Sequence, residues 1–359
     1  MICQGVESGV HIVTPTAFKV GDRVLKHTGD YQIEGEVRGV LSSKKGAVRY
    51  VVEHPGGMLH IYSEGNLTLV TGSSMERQYL DILKRCLAAT PRKCRNGTTR
   101  AIFAAQIRHD MREGFPLLTT KKVAWKLALS ELLWFIEGGK NSPVPYRLDN
   151  ARFREIAGMA PGANTIWSMD AGKPAWLAKA QFEDDCGRIY GAQWRNWGGK
   201  IDQLANLVKL LRTDPFSRYL KMTAWNPTDI SDMCLPPCHA EFQCFVEEEN
   251  GQKYLSLHMN QRSCDMFLGV PFNIAGYGFF LSMLAKVSGM VAKELVITFN
   301  DAHVYEAHVE AVQTQLARPL HPLPTLSIEG GASEIDDFWP NHFVINNYTC
   351  GETIKAPLL

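Results

Sequence analysis

The sequence predicts an α+β fold in two parts, a small all-β, barrel-like domain over residues 1–71 and a large domain over residues 75–359. Three observations predict it. Short strands separated by turn signals crowd the first 70 residues; helical and alternating patterns then mix irregularly; and one long, almost wholly apolar helix spans Phe272 to Met290.

The first strand is Arg23-Val-Leu-Lys26, entered through Gly21-Asp22. Tyr31 to Val40 alternates in part, and Ala47 to Glu53 is rich in β-formers. Met58 to Tyr62 follows the turn Pro55-Gly56-Gly57, and Leu67 to Val70 closes the set. Strands of this length and spacing resemble an SH3-like or KOW-type module, a class that often binds nucleic acid or protein. The segment carries seven basic and seven acidic side chains, so nothing draws it to a phosphate backbone. It reads as a docking or solubility appendage ahead of a nucleic-acid binder. Thr71-Gly72-Ser73-Ser74 reads as a linker.

In the large domain, Tyr79, Leu80, Leu83 and Leu87 give Met75 to Ala88 a helical period. Val123 to Ile136 is an apolar-faced helix stopped by Gly138-Gly139. A shorter helix, Ile201 to Arg212, precedes the strand Leu220 to Trp225. Cys238 to Glu247 and Tyr254 to Met259 alternate as two strands of one sheet. Phe272 to Met290, entered through Pro271, is apolar on all sides and so belongs at the centre of the core.

Composition narrows the function classes. The 359 residues carry 38 Lys and Arg against 37 Asp and Glu, so no global field steers the chain to nucleic acid or a membrane. A local anion site needs only a few well-placed arginines. Nine cysteines (Cys3, Cys86, Cys94, Cys186, Cys234, Cys238, Cys244, Cys264 and Cys350) form no Cys-x-x-Cys pair and no zinc spacing. Reduced thiols, a cytoplasmic location and no metal are expected. No basic segment followed by an apolar run opens the chain, so no signal peptide is expected. The longest apolar stretch, Ile274 to Val291, is interrupted by Lys286 and Ser288, so a soluble protein with no membrane partner is expected.

One cysteine stands apart. Cys238 sits in Leu235-Pro-Pro-Cys-His239, where two prolines fix the thiol and His239 flanks it. Arg262, in Gln261-Arg-Ser-Cys-Asp265, arrives from the neighbouring strand and is placed to hold the sulfur as thiolate, the reactive form. A lone cysteine is more often a small buried hydrophobe. Here the surroundings decide.

Further motifs run in order along the chain: Phe115-Pro-Leu-Leu-Thr-Thr-Lys121, Glu131-Leu-Leu-Trp-Phe135, Arg188-Ile-Tyr-Gly-Ala-Gln-Trp-Arg195, Ala224-Trp-Asn-Pro227, Leu268-Gly-Val-Pro-Phe-Asn-Ile-Ala275 and Asp301-Ala-His-Val-Tyr305. With the two cysteine motifs, they resemble the thymidylate synthase and deoxypyrimidine hydroxymethylase family from about Gln78 to the C-terminus. The resemblance implies a central mixed sheet around the long buried helix. It also implies one-carbon transfer from 5,10-methylenetetrahydrofolate to C5 of dUMP, with no metal. C5 of uracil is a poor nucleophile, and thiolate addition at C6 makes it an enolate able to attack the donor.

By the same resemblance Cys238 is the nucleophile, with His239 beside it in the catalytic set. Glu131 is the general acid/base acting through water near O4, and Tyr190 assists loss of the C5 proton. Asp265 orients the pteridine, with Lys121, Trp167, Gly269 and Phe272 completing the implied folate set. Arg95, Arg262 and Ser263 hold the phosphate, Arg218 reaches it from the partner of a homodimer, and His303 and Tyr305 bind the sugar hydroxyl. Gln261 belongs to the nucleotide set. Asn273 carries an amide that both donates and accepts, which suits the O4 and N3–H edge of uracil. Relatives that act on cytosine carry an aspartate there, so dUMP is expected over dCMP.

Several positions depart from the family's usual pattern. Tyr219 replaces the second of two paired arginines, Ala124 stands in place of a bulkier ring, and Asn300 replaces a glycine. Trp167-Ser-Met-Asp170 keeps only the tryptophan of its motif, and the tail Ile354 to Leu359 looks short. These changes gather on the folate side, where admission of water would turn a methyl product into a hydroxymethyl one. Trp167 argues for a sealed site; Asp170, Ala124 and the tail argue for a wetter one. Methylation to dTMP is the expectation. The alternative is 5-hydroxymethyl-dUMP, made for viral genomes with modified pyrimidines, and a non-catalytic binding protein is the reading from another class.

Overall fold

The computed structural model describes residues 17–42, 47–69 and 73–359. Cys3, the opening residues weighed for a signal peptide, and Val70-Thr71-Gly72 of the last strand and linker lie outside them. The chain divides into two compact units, Met1–Thr71 and Gly72–Leu359.

In the first unit five strands, β1 (Arg23–Lys26), β2 (Ile33–Ser42), β3 (Val48–His54), β4 (Met58–Ser63) and β5 (Leu67–Leu69), pair antiparallel in the order β4-β3-β2-β1-β5. The result is a half-barrel, open between β4 and β5. Alternation sends Val24, Val37, Tyr50 and Val52 inward, where they pack with Phe18 and Leu67. Gly35 is required by its neighbours, since a Cβ there would lie 2.5 Å from Cγ1 of Val52.

The second unit is α+β. Its helices include α1 (Ser74–Ala88), α2 (Trp125–Glu137), α3 (Tyr190–Arg195), α4 (Gln203–Thr213) and α5 (Gly269–Val287). Its sheet contains β6 (Pro91–Cys94), β7 (Gly97–Asp110), β8 (Lys221–Thr223), β9 (His239–Glu249), β10 (Gln252–Asp265) and β11 (Val291–Tyr305), in the order β8-β9-β10-β11-β7-β6. Neighbours are antiparallel except β10 and β11, which run parallel. A parallel pair needs a crossover, and α5 supplies it. It packs against α2, β10 and β11 and buries residues on all its sides, from Val270 and Ile274 to Phe280 and Leu284. Among the described residues α5 is the one helix long and apolar enough to cross a bilayer, and it is mostly buried in this core.

The linker expectation is partly replaced by a cap. Ser73 accepts a hydrogen bond from the Glu76 amide at 3.0 Å and so starts α1. The Glu76 carboxylate is fully buried and accepts from the amides and hydroxyls of Thr119 and Thr120 at 2.7–2.9 Å. This pins the Phe115–Lys121 segment to α1. The opposite face of the sheet carries no such cover: Gln243 pairs with His258, Phe245 is 64% exposed, and Gln106 and Arg108 stand on the same side.

Two outcomes are expected. Glu76→Ala strands buried donors and lowers unfolding stability by about 3 kcal/mol, read from the midpoint of urea unfolding; an unchanged midpoint would refute the pin. Deleting residues 1–71 leaves the second unit folded and its activity intact, and loss of turnover in a well-folded truncation would refute that.

Candidate active site

The sheet topology brings the sequence candidates to one end. Strand β9 begins at His239 opposite Gln261, and β10 finishes with Asp265 opposite His303 of β11. Cys238 therefore lies beside Arg262, with Ser263 and the His303–Tyr305 segment along the same edge. The Cys238 amide donates to the Tyr190 hydroxyl at 2.7 Å, and the Cys238 carbonyl accepts from the Arg262 amide at 2.6 Å. The Arg262 guanidinium donates to the carbonyls of Pro237 (3.1 Å) and Pro236 (3.3 Å) and lies 5.2 Å from the Trp225 ring. Arginine and prolines together make the cysteine loop rigid.

Burial sets the charges. It pushes the Cys238 thiol above its usual value, while Arg262 and the Tyr190 hydroxyl pull it back only in part. Arg262 acts in the expected direction, but it does not by itself make the resting sulfur a thiolate. Burial also lifts the Glu131 carboxyl to about 7, against the opposing hydrogen bond from the Trp167 indole N–H at 2.7 Å. Near neutral pH, Glu131 is thus divided between acid and base, which suits proton transfer in both directions. His239 goes the other way. Burial lowers it to about 3, so it is a neutral ring and no cation for the neighbouring thiol.

His239 instead supports Asn273. The Asn273 amide nitrogen donates to Nε2 of His239 at 3.1 Å, and its oxygen accepts from Gln261 at 2.9 Å. This chain fixes which end of the amide is which.

Two cavities reach this set, one through Arg262 and one through Glu131; Cys238, Tyr190, His239, Gln261 and Asn273 line neither. One, of about 320 Å³, is lined by Arg95, Arg262, Ser263, His303 and Tyr305, together with Arg92, Asn96 and Trp225. Arg92 is paired with Asp301, whose carboxylate also meets Nδ1 of His303 at 3.1 Å. Arginines converging on one hollow suit a phosphate. The other, about 240 Å³, has Glu131 in a mainly apolar wall of Leu127, Phe153, Met159, Ile166, Phe272 and Leu358, with Asn164 and Thr165 also in it. An apolar slot with one carboxylic acid suits a flat heteroaromatic ring. A third hollow of about 330 Å³, between α2 and Phe338-Trp339, contains no sequence candidate. Among the described residues no group of three His, Cys, Asp or Glu side chains is gathered as a metal site.

A thymidylate synthase family model matches residues 77–359. The chain belongs to the thymidylate synthase family. It is accordingly a folate-dependent one-carbon transferase of the dUMP type.

Within that frame some candidates take supporting positions. Trp167 is buried and spends its N–H on Glu131. Lys121 is buried too, its ammonium bonded to the Phe267 carbonyl and 3.7 Å from the Phe267 ring. Burial holds it at about 8, with Asp265 opposing. Oδ1 of Asp265 accepts the Phe267 and Leu268 amides, both at 3.0 Å, which shapes the turn into Gly269 and α5. Lys121, Asp265 and Gly269 are not among the cavity-lining residues. Arg218 is exposed beside Tyr219, at the sheet edge formed by β8, and joins neither cavity. Of the departures from the family pattern, Ala124 is exposed at the start of α2, whereas Asp170 is buried and ion-paired with Lys173.

Sequence reasoning passed over Arg92, although it lies three residues before Arg95, and the stacking of Trp225 on Arg262. The Ala224-Trp-Asn-Pro227 motif flagged Trp225 without giving it a task. Trp167→Phe removes a donor to the Glu131 carboxylate. The midpoint of Glu131 ionisation, followed by its carboxyl infrared band, should then rise further above about 7; a fall would refute the assignment.

Proposed function

We propose that this enzyme methylates dUMP at C5, giving dTMP and dihydrofolate. The observation that carries this reading is the apolar wall around Glu131, with Leu358 of the C-terminal tail in it and Trp167 behind the carboxyl. A wall of this kind keeps water from the C5 carbon before hydride arrives.

Arg95, Arg262 and Ser263 bind the phosphate, His303 and Tyr305 the sugar, and Asn273, oriented by Gln261 and His239, the uracil edge. Cys238 gives up its proton as its sulfur adds to C6, and the Arg262 charge favours that loss. Glu131 passes a proton through water at O4, and Tyr190, already bonded to the Cys238 amide, helps to take the proton from C5. Bound methylenetetrahydrofolate supplies the one-carbon unit and the hydride. Phe272 forms part of the apolar slot, and Asp265 and Lys121 hold the turn into α5, which carries Phe272.

The uncovered sheet face, with Phe245 exposed, supports a homodimer in which Arg218 serves the partner's phosphate. Hydroxymethylation is favoured by one observation, the buried carboxylate of Asp170, ion-paired with the half-exposed Lys173 and within electrostatic reach of Cys238.

Mass spectrometry of the nucleotide formed from dUMP and methylenetetrahydrofolate separates the two readings. A methylated product with matching dihydrofolate absorbance is expected; a hydroxymethylated product without it would overturn methylation. Cys238→Ala should abolish transfer, and retained transfer would remove it as nucleophile. Mixed Cys238→Ala and Arg218→Ala subunits should show turnover that neither has alone. Failure of the mixture would argue against the shared site.

A further inference from the structure

Two cysteines outside the reaction centre form a pair. Cys186 lies in the short strand Asp185–Gly187, and Cys234 stands four residues before the nucleophile. Gly187 bridges Met233 antiparallel, the Arg188 amide donates to Asp232 at 2.9 Å, and the Cys234 amide donates to Cys186 at 3.1 Å. This pattern sets Cys186 opposite Cys234, joined by one backbone hydrogen bond, and their thiols lie within hydrogen-bonding reach of each other. Residues opposed in this way share one face, where Cα atoms typically stand about 5.5 Å apart. That spacing falls inside the range of about 4.4–6.8 Å that a disulfide spans. Both are free thiols. Burial first, and the adjoining Cys234 thiol second, hold Cys186 well above its usual value as a protonated thiol. Cys234, only half-buried, is the one that meets a solute.

We propose that Cys186 and Cys234 are a site of reversible two-electron oxidation by hydrogen peroxide, and that the disulfide so formed restrains the nucleophile loop. The Cys234 sulfur attacks one peroxide oxygen, the O–O bond breaks, and a sulfenic acid and one water result. The Cys186 sulfur then displaces the sulfenic oxygen, which leaves as a second water with the Cys186 proton. Two thiols and one peroxide give one disulfide and two waters.

The restraint follows from geometry and rests on Cys238 being the nucleophile. A disulfide needs its Cβ atoms about 3.8 Å apart, closer than an open cross-strand pair holds them, so the two segments must draw together. Only Leu235 and two prolines separate Cys234 from Cys238, and Arg262 holds both proline carbonyls. The loop cannot absorb the shift without moving Cys238 from Tyr190. A displacement approaching 1 Å at a reacting atom slows turnover by about tenfold or more. A bond strained in this way is readily reduced.

The test treats the full-length protein with graded hydrogen peroxide, then alkylates, maps peptides without reduction and assays turnover in parallel. A linked Cys186–Cys234 peptide pair is expected, appearing with a roughly tenfold loss of turnover, both reversed by dithiothreitol. Cys234→Ala, at a half-buried position, and Cys186→Ala should lack the link and withstand the same dose. Cys186 and Cys234 left fully alkylatable after unfolding, at doses that oxidise Cys238, would overturn the proposal, as would a Cys234–Cys238 link. A Cys186–Cys234 link with unchanged turnover would overturn the restraint. The peptide map reads the link whatever Cys238 does, so failure of the nucleophile assignment, seen as activity in Cys238→Ala, is distinguishable.

Discussion

The parallel pairing of β10 with β11 is the constraint on which the rest of the large unit depends. Antiparallel neighbours need only a turn, but a parallel neighbour requires the chain to return across the sheet. Helix α5 makes that return, and its composition follows, since a crossover packed on strands and on α2 meets almost no water. The same pairing aligns the ends of β10 and β11, so Asp265 stands opposite His303. Because β9 runs antiparallel to β10, it starts where β10 ends, and Cys238 and His239 enter at that edge. Helix α5 leaves the same edge and delivers Asn273 within its first turns. One topological choice therefore collects Cys238, Asn273 and the His303–Tyr305 segment.

Once gathered, these groups answer to a single force in different directions. Desolvation penalises whichever form is charged. It raises Cys238, lifts Glu131 to about 7 and drops His239 to about 3. Compensation is local: Arg262 for the thiol, the Trp167 N–H for the carboxyl and none for the imidazole. The result is a thiol that is protonated at rest, a carboxyl poised near neutrality and a histidine that stays uncharged. Fixed positive charge gathers in the cavity lined by Arg92, Arg95 and Arg262.

Much of this was legible in the sequence because it is written locally. The five strands of the first unit follow their turn residues, and α2 ends at Gly138, whose φ of 69° suits glycine. The long helix was expected from Phe272 to Met290 and runs from Gly269 to Val287. Pro271 is tolerated inside its first turn, where the missing N–H would have no helical partner. Strand β7 escaped notice because Ala104, at φ 59°, breaks its alternation and leaves Phe103 84% exposed. The Glu76 carboxylate was illegible for another reason: its partners Thr119 and Thr120 are more than 40 residues away. Nothing local separates it from a surface glutamate. The same holds for Trp225 on Arg262 and for Arg92 on Asp301.

The link between His239 and Asn273 shows why burial and recognition belong together. Nε2 of a neutral imidazole can accept, and here it accepts from the Asn273 amide nitrogen. A charged His239 would carry a proton on Nε2 and would repel that donor. By excluding water, the packed rings of Phe135, Tyr190 and Tyr277 around His239 keep it neutral, so Nε2 can accept when the ring's one proton sits on Nδ1. With Gln261 donating to its oxygen, Asn273 keeps one N–H and one lone pair for a ligand. That remainder complements the O4 acceptor and N3–H donor of uracil. An aspartate in its place would offer only acceptors, so it would need the other neutral tautomer of His239, with the proton on Nε2, and would bring a negative charge into a buried position.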